Sequence, residues 1–170
     1  VGAKDFTFGV TDTESTEARQ QMLADRDIDA ILFVRVGYGA LRIIDNINFP
    51  TFKKHPKWLL GFSDATVFHS HVNRNFGIAT IHSKMCNSFP ADWALAEPIQ
   101  VATIESIRQC LTGEKISYPI VPNIFNKNGN ASGRLVGGNL KTIESMDGSK
   151  SDLVTNNKIL FVEDTGEYLY

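Results

Sequence analysis

Short apolar runs alternate with helix-period stretches along the first two-thirds of the chain. Thr11 to Glu17 is polar and offers Thr and Ser as helix caps. From Ser15 to Arg26, Ala18, Met22 and Leu23 recur at helical spacing. Ala30-Ile31-Leu32-Phe33-Val34 is continuously apolar, as suits a strand covered on both faces of a parallel sheet. It ends in the turn signal Arg35-Val36-Gly37-Tyr38-Gly39. Leu41, Ile44 and Ile47 resume helical spacing from Ala40 to Ile47, and Pro50 and Pro56 punctuate the connection that follows. Trp58-Leu59-Leu60-Gly61-Phe62 predicts a second buried strand. A helix is expected from Ala65 to Asn75, with Val67, His71 and Val72 on one face and Gly77 as its stop. Ile78 to His82 reads as a third strand. Strand, helix, strand, helix, strand in this order predicts a parallel α/β sheet.

Asn87 to Asp92 reads as a loop and Glu97 to Leu111 as a helix carrying Ile99, Ala102, Ile107 and Leu111. The character changes after Gly113. Pro119, Pro122 and the polar run Asn126-Lys127-Asn128-Gly129-Asn130 mark a boundary. The expected division is an α/β region over 1–113, a linker over 114–130 and a second region over 131–170. That second region holds Arg134-Leu135-Val136-Gly137-Gly138-Asn139, a helix-like Leu140 to Met146 and a strand from Lys158 to Val162.

Composition changes the picture only by exclusion. With 170 residues, 42% apolar, 21% charged and a net charge of -2, the chain is long and apolar enough to bury a core. The same balance excludes intrinsic disorder and argues against a nucleic-acid-coating protein. No apolar run approaches the roughly 18 residues of a membrane span. Cys86 and Cys110 match no zinc spacing and suit reduced thiols in a cytoplasmic protein, so neither a metal nor a cofactor is expected. A chain that opens on Val1 and stops at Tyr170 inside a strand-and-turn segment reads as a fragment.

The sharpest local feature is Gly61-Phe62-Ser63-Asp64-Ala65, at the hand-over from a strand to a helix. A nucleophile elbow needs small residues two positions either side of the nucleophile, and Gly61 and Ala65 meet that need. The helix N-terminus adds free N–H groups for an oxyanion. The competing role is simpler: Ser63 caps the helix, with Asp64 in its first turn, and spacing alone favours that cap. Gly37 and Gly39 hint at a dinucleotide loop, but Arg42 stands where a third Gly or Ala belongs. Of the histidines, His55 sits in a Pro-flanked loop and is expected to face solvent. His69 and His71 lie on the helix, carried away from the bend, and read as packing or polar-face residues. His82 ends the third strand on the edge that carries Ser63, where it lines a site or packs structurally. Glu163 and Asp164 follow a strand and either orient a base or stay solvated.

Six short motifs stand in one collinear order: Arg35 to Ala40 with Arg42 to Asp45, then Pro56-Lys57-Trp58, Gly61 to Asp64, Thr80-Ile81-His82, Gly133 to Leu140, and Ile159 to Asp164. This order resembles the LD-carboxypeptidases, the serine peptidases that include muramoyltetrapeptide carboxypeptidase and the microcin immunity peptidases. The resemblance implies a parallel-sheet α/β nucleophile domain followed by the start of a largely β C-terminal domain. It implies Ser63 as nucleophile and Glu163 as the acid that orients a histidine located downstream of Tyr170. The Asp64 N–H and one from the Val36 to Gly39 turn, at Gly37, would form the oxyanion hole. Asn139, Tyr38 and His82 would face the substrate. The implied reaction is hydrolysis of a peptide bond between an L-centre and a D-residue. The family's typical substrate is a murein tetrapeptide, which loses its terminal D-Ala during cytoplasmic cell-wall recycling. Homodimerisation is common in the family.

The chain departs from the family in several places, and the family's opening strand, with its own small-residue turn, is expected to be missing before Val1. Val36 stands where the family carries Gly, and Ser83 and Lys84 follow His82 where the family has Gly and Pro. These departures motivate an alternative from another class, a non-catalytic α/β module that kept a peptide pocket and lost the peptidase. A nucleotide-binding Rossmann domain is a third reading.

Overall fold

The computed structural model describes residues 11–34 and 39–166. The turn at 35–38, and with it Val36, Gly37 and Tyr38, lies outside the described residues.

Helix α1 (Asp12–Ala24) starts three residues earlier than the apolar spacing indicates. The reason is a capping box. Thr11 Oγ1 accepts the Glu14 N–H at 3.3 Å, and the Glu14 carboxylate accepts the Thr11 N–H at 3.0 Å. Strand β1 (Ala30–Leu32) is followed by a short helix α2 (Ala40–Ile43) that tightens into a 3₁₀ turn over Ile44–Asn46. The connection punctuated by Pro50 and Pro56 contains a helix, α3 (Pro50–Lys54). Pro50 opens it, where its missing N–H is no loss. Strand β2 (Trp58–Gly61) leads through a 3₁₀ turn, Ser63–Ala65, into α4 (Thr66–Phe76), which Gly77 ends in the left-handed conformation. Strand β3 is only Ile81–His82.

The three strands form a parallel sheet in the order β1-β2-β3. Its core holds Ile31, Phe33, Ile43, Ile44, Phe52, Leu59, Val67, Phe68 and Val72. Phe52 and Phe68 are fully buried, and each such side chain contributes about 1.5–3 kcal/mol. His55 is exposed, as its Pro-flanked loop suggests.

A 3₁₀ turn, Cys86–Ser88, overlaps the expected loop, and a second, Trp93–Leu95, follows it. Helix α5 (Pro98–Leu111) has a Glu97–Gln100 capping box and buries no residue. Tyr118, Ile120, Val121, Ile124 and Phe125 beyond it are exposed as well.

The second region contains strand β4 (Leu135–Asn139), helix α6 (Leu140–Ser145) and strand β5 (Ile159–Glu163). β4 and β5 pair in parallel, Asn139 opposite Glu163. β4 is hard to see in sequence because Gly137 and Gly138 are poor strand formers. Both sit at positive φ, +141° and +146°. A Cβ on Gly137 would lie 1.7 Å from the Phe161 carbonyl oxygen, and one on Gly138 would lie 2.5 Å from Thr66 Oγ1. The loop after α6 docks on α4: His71 Nδ1 lies 2.9 Å from Ser151 Oγ, and Arg74 donates to the Asp152 carbonyl at 2.6 Å.

Gly138→Ala is expected to destabilise the protein by about 1–3 kcal/mol or more, through overpacking on Thr66 added to backbone strain. Urea unfolding measures it. A second substitution, Thr66→Ser, removes the methyl carbon that the added Cβ would meet at 2.6 Å and should recover part of the loss.

Candidate active site

The site is built at the carboxyl ends of β2 and β3, where the second sheet meets the first. Ser63 follows β2 after one extended residue and has φ +57°, the left-handed region that a non-glycine residue adopts only under constraint. The constraint is crowding. A Cβ on Gly61 would lie 2.9 Å from Phe33 Cδ2 and 3.0 Å from Ala65 Cβ. Ala65 is fully buried. The small residues at 61 and 65 therefore let the chain reverse in this space. Ser63 does not cap the following helix: the residue in the N-cap position of the turn is Phe62, and no side chain caps it.

Asp64 ties this bend to the start of α2. Its buried Oδ2 accepts the Ala40 N–H at 2.8 Å. Burial pushes its carboxyl above the usual range, while the backbone N–H groups of Ala40 and Gly39 and the Arg19 guanidinium pull the other way. Arg19 is itself held over the Phe68 ring, 5.8 Å from its centre.

His69 corrects an expectation. Helical rise carries its backbone away from the bend, but side chains lean back toward a helix N-terminus. Its Nε2 lies 3.0 Å from the Gly61 carbonyl oxygen, so the ring returns to the strand that leads into Ser63. The packing role for His69 and His71 agrees with the structure; a solvent-facing role does not, since both are buried.

His82 pairs with Gly61 across the sheet, and the Ser83 N–H donates to the Gly61 carbonyl at 2.9 Å. Its Nε2 lies 3.7 Å from Glu163 Oε1. Burial lowers its pKa, so at neutral pH this is a neutral imidazole beside a carboxylate, slightly beyond hydrogen-bond reach. Glu163 is raised, first by burial and then by Asp164, with the Asn139 amide opposing. The Ser63 turn and Glu163 are thus linked through two routes, Gly61–His82 and Thr66–Asn139.

Asn139 is committed on every side. Its N–H donates to Thr66 Oγ1 at 3.1 Å, and its Oδ1 accepts the Thr142 N–H at 3.0 Å, capping α6. Its Nδ2 donates to Asp164 at 3.2 Å. Asp164 also accepts the Lys141 N–H at 3.0 Å. Sequence reasoning did not single out Thr66, which carries no motif signal, or the Asp64 carboxylate, whose acidity in a first helical turn suggested only a dipole partner. Beside His82 lies a cavity of about 400 Å³ lined by His69, Asn73, Thr80, Arg134 and Phe161 among others. Among the described residues no group of three or more His, Cys, Asp or Glu is placed to hold a metal ion. None of their helices is long and apolar enough to cross a membrane.

A serine at a strained strand-to-helix bend, with an acid from a second sheet held beside the neighbouring strand, defines a class: α/β proteins with a serine elbow at the sheet's rim. The chain matches the LD-carboxypeptidase N-terminal domain over residues 2–83 and the LD-carboxypeptidase C-terminal domain over residues 132–170, and it belongs to that family. It is 32% identical over 161 residues to a probable murein peptide carboxypeptidase of Bacillus subtilis, covering 94% of this chain and 49% of that one. It is also 32% identical over 168 residues to a putative carboxypeptidase of Synechocystis, covering 96% and 52%. The chain therefore spans about half the length of these curated relatives. Among solved structures, a muramoyltetrapeptide carboxypeptidase from Oxalobacter formigenes shares the fold with a TM-score of 0.80 at 23% identity, covering 94% of this chain and 52% of that one. An MccF-like protein from Bacillus anthracis shares it with a TM-score of 0.77 at 21% identity, covering 94% and 54%.

Burial holds the His69 pKa down at about 4, against 6.5 for a free imidazole. The unfolded chain takes up this proton as pH falls below 6.5, while the folded chain resists it until about 4. Stability from neutral His69 is thus complete above 6.5 and lost on acidification, by up to about 3 kcal/mol near pH 4. Urea unfolding at pH 7 and pH 4.5 checks this: His69→Gln should lose less stability between the two than wild type.

Proposed function

We propose that the protein containing this chain is a serine carboxypeptidase that hydrolyses an amide bond between an L-centre and a terminal D-residue. Its proposed substrate is a murein tetrapeptide releasing D-Ala, in cytoplasmic cell-wall recycling. The observation that carries the reading is the strained Ser63 at the mouth of β2, with Glu163 brought to the same rim by the Thr66–Asn139 contact.

In this reading Ser63 Oγ attacks the scissile carbonyl. A histidine, which the family carries downstream of the glutamate motif, takes the hydroxyl proton and passes it to the departing D-amino acid. Glu163 orients that imidazole. The Asp64 N–H, with one from the turn containing Gly37, stabilises the oxyanion. The Asp64 carboxylate supports the pair, because its bond to Ala40 couples the bend to the end of that turn. Water then releases the acyl group from Ser63. The division into 1–113, 114–130 and 131–170, homodimerisation, and substrate contact by Asn139, Tyr38 and His82 belong to the same proposal. The relatives that speak for the substrate are the B. subtilis protein, described as a probable murein peptide carboxypeptidase, and the O. formigenes enzyme.

D-Ala release from murein tetrapeptide by the full-length protein is the test. Ser63→Ala should lower kcat by about 10⁴-fold or more, since a triad stripped of its nucleophile keeps only binding and oxyanion contributions. Equal rates would remove Ser63 from the chemistry. A wild-type protein that binds the peptide but is not labelled at Ser63 by a serine-reactive phosphonate would be a binding module instead.

A further inference from the structure

We propose that His82 is a positioning residue for Glu163, its Nε2–H holding carboxylate Oε1 so that Oε2 alone is presented to the catalytic imidazole. The proposal deepens the peptidase reading and rests on it for its kinetic consequence; the contact itself rests on the two strands. β3 is only two residues long but firmly placed, Ile81 opposite Leu60 and His82 opposite Gly61. Successive strand residues face opposite ways, so buried Ile81 points into the core and His82 points toward β5. On β5 the same alternation puts Phe161 and Glu163 on one face. Phe161 meets the His82 ring edge-on, with centres 5.3 Å apart and an interplanar angle of 65°. Glu163 follows one pleat further on, which brings Oε1 to 3.7 Å from Nε2.

The tautomer follows from the remaining atoms. His82 Nδ1 and Glu163 Oε1 are both buried and without a hydrogen-bond partner. A neutral imidazole has one N–H and one lone pair. A proton on Nδ1 would be a buried orphan donor, and the Nε2 lone pair would then face a carboxylate oxygen. A proton on Nε2 points at Oε1 and leaves only an unpaired acceptor behind, the more tolerated defect. Closing the gap from 3.7 Å to hydrogen-bond length takes less than about 1 Å, within reach of a glutamate side chain. A carboxylate held at one oxygen cannot rotate freely, and an acid that orients a base must hold one direction. The titratable groups facing His82 are His69 on α4, with ring centres 6.2 Å apart, and Glu163 on β5. Arg134, just before β4, lines the adjoining cavity.

Imidazole ¹⁵N NMR on the full-length protein tests the contact without relying on activity. The expected result is a neutral His82 protonated on Nε2, whose pKa falls in Glu163→Gln, because the variant removes a negative neighbour. An Nδ1–H tautomer in wild type, or an unmoved pKa in the folded variant, overturns the proposal. Kinetics supply the second readout. His82→Leu should lower kcat about tenfold or more with KM within about twofold, and His82→Gln, which keeps a side-chain N–H, should recover part of kcat. Equal losses in both, or a loss confined to KM, would overturn the positioning role. If Ser63→Ala leaves hydrolysis intact, the peptidase reading falls, and the NMR result still judges the His82–Glu163 contact by itself.

Discussion

Where Gly138 lies against Thr66, two sheets that share no hydrogen-bonded strand are brought to one rim. The first turn of α4 occupies the space a side chain on residue 138 would fill. The next residue closes the junction, its N–H on Thr66 Oγ1. Because Asn139 pairs with Glu163 in the β4–β5 ladder, this one close approach sets how far the acid stands from the bend that carries Ser63. Docking of the 150–152 loop on α4 through Ser70, His71 and Arg74 reinforces the placement.

The bend itself stores conformational cost. A left-handed serine is unfavourable by about 1 kcal/mol or more, and it persists because its surroundings leave no alternative. Gly61 packs to the limit between Phe33 and Ala65, Asp64 anchors to Ala40, and the His69 ring reaches the Gly61 carbonyl. Asp64 and His69 are polar and buried, and each has a defined backbone partner. The backbone that carries Ser63 is thereby held in place from several sides.

Much of this arrangement was legible beforehand. The parallel sheet followed from apolar runs alternating with helix-period stretches; the small residues two positions either side of Ser63 made an elbow a candidate, although spacing alone favoured a helix cap. The resemblance to the LD-carboxypeptidases rested on motif order, which the matches over 2–83 and 132–170 bear out. Other features were hidden for physical reasons. α3 was masked by prolines that in fact open and follow it. β4 was masked by two glycines whose φ angles no propensity rule anticipates. The position of His69 was hidden because helix rise locates a backbone and not a side chain that leans back along it.

Periodicity, turn chemistry and local crowding act over a few residues. They determined the sheet's sense, the ends of its helices and the candidacy of Ser63. The choice between a capping serine and a strained one needed Phe33 across the sheet. The pairing of His82 with Glu163 needed strands far apart in sequence, and the commitment of Asn139 needed Thr66 and Asp164 together. Such relations depend on which surfaces pack once the backbone is built, and a linear pattern carries no measure of distance between residues so widely separated along it.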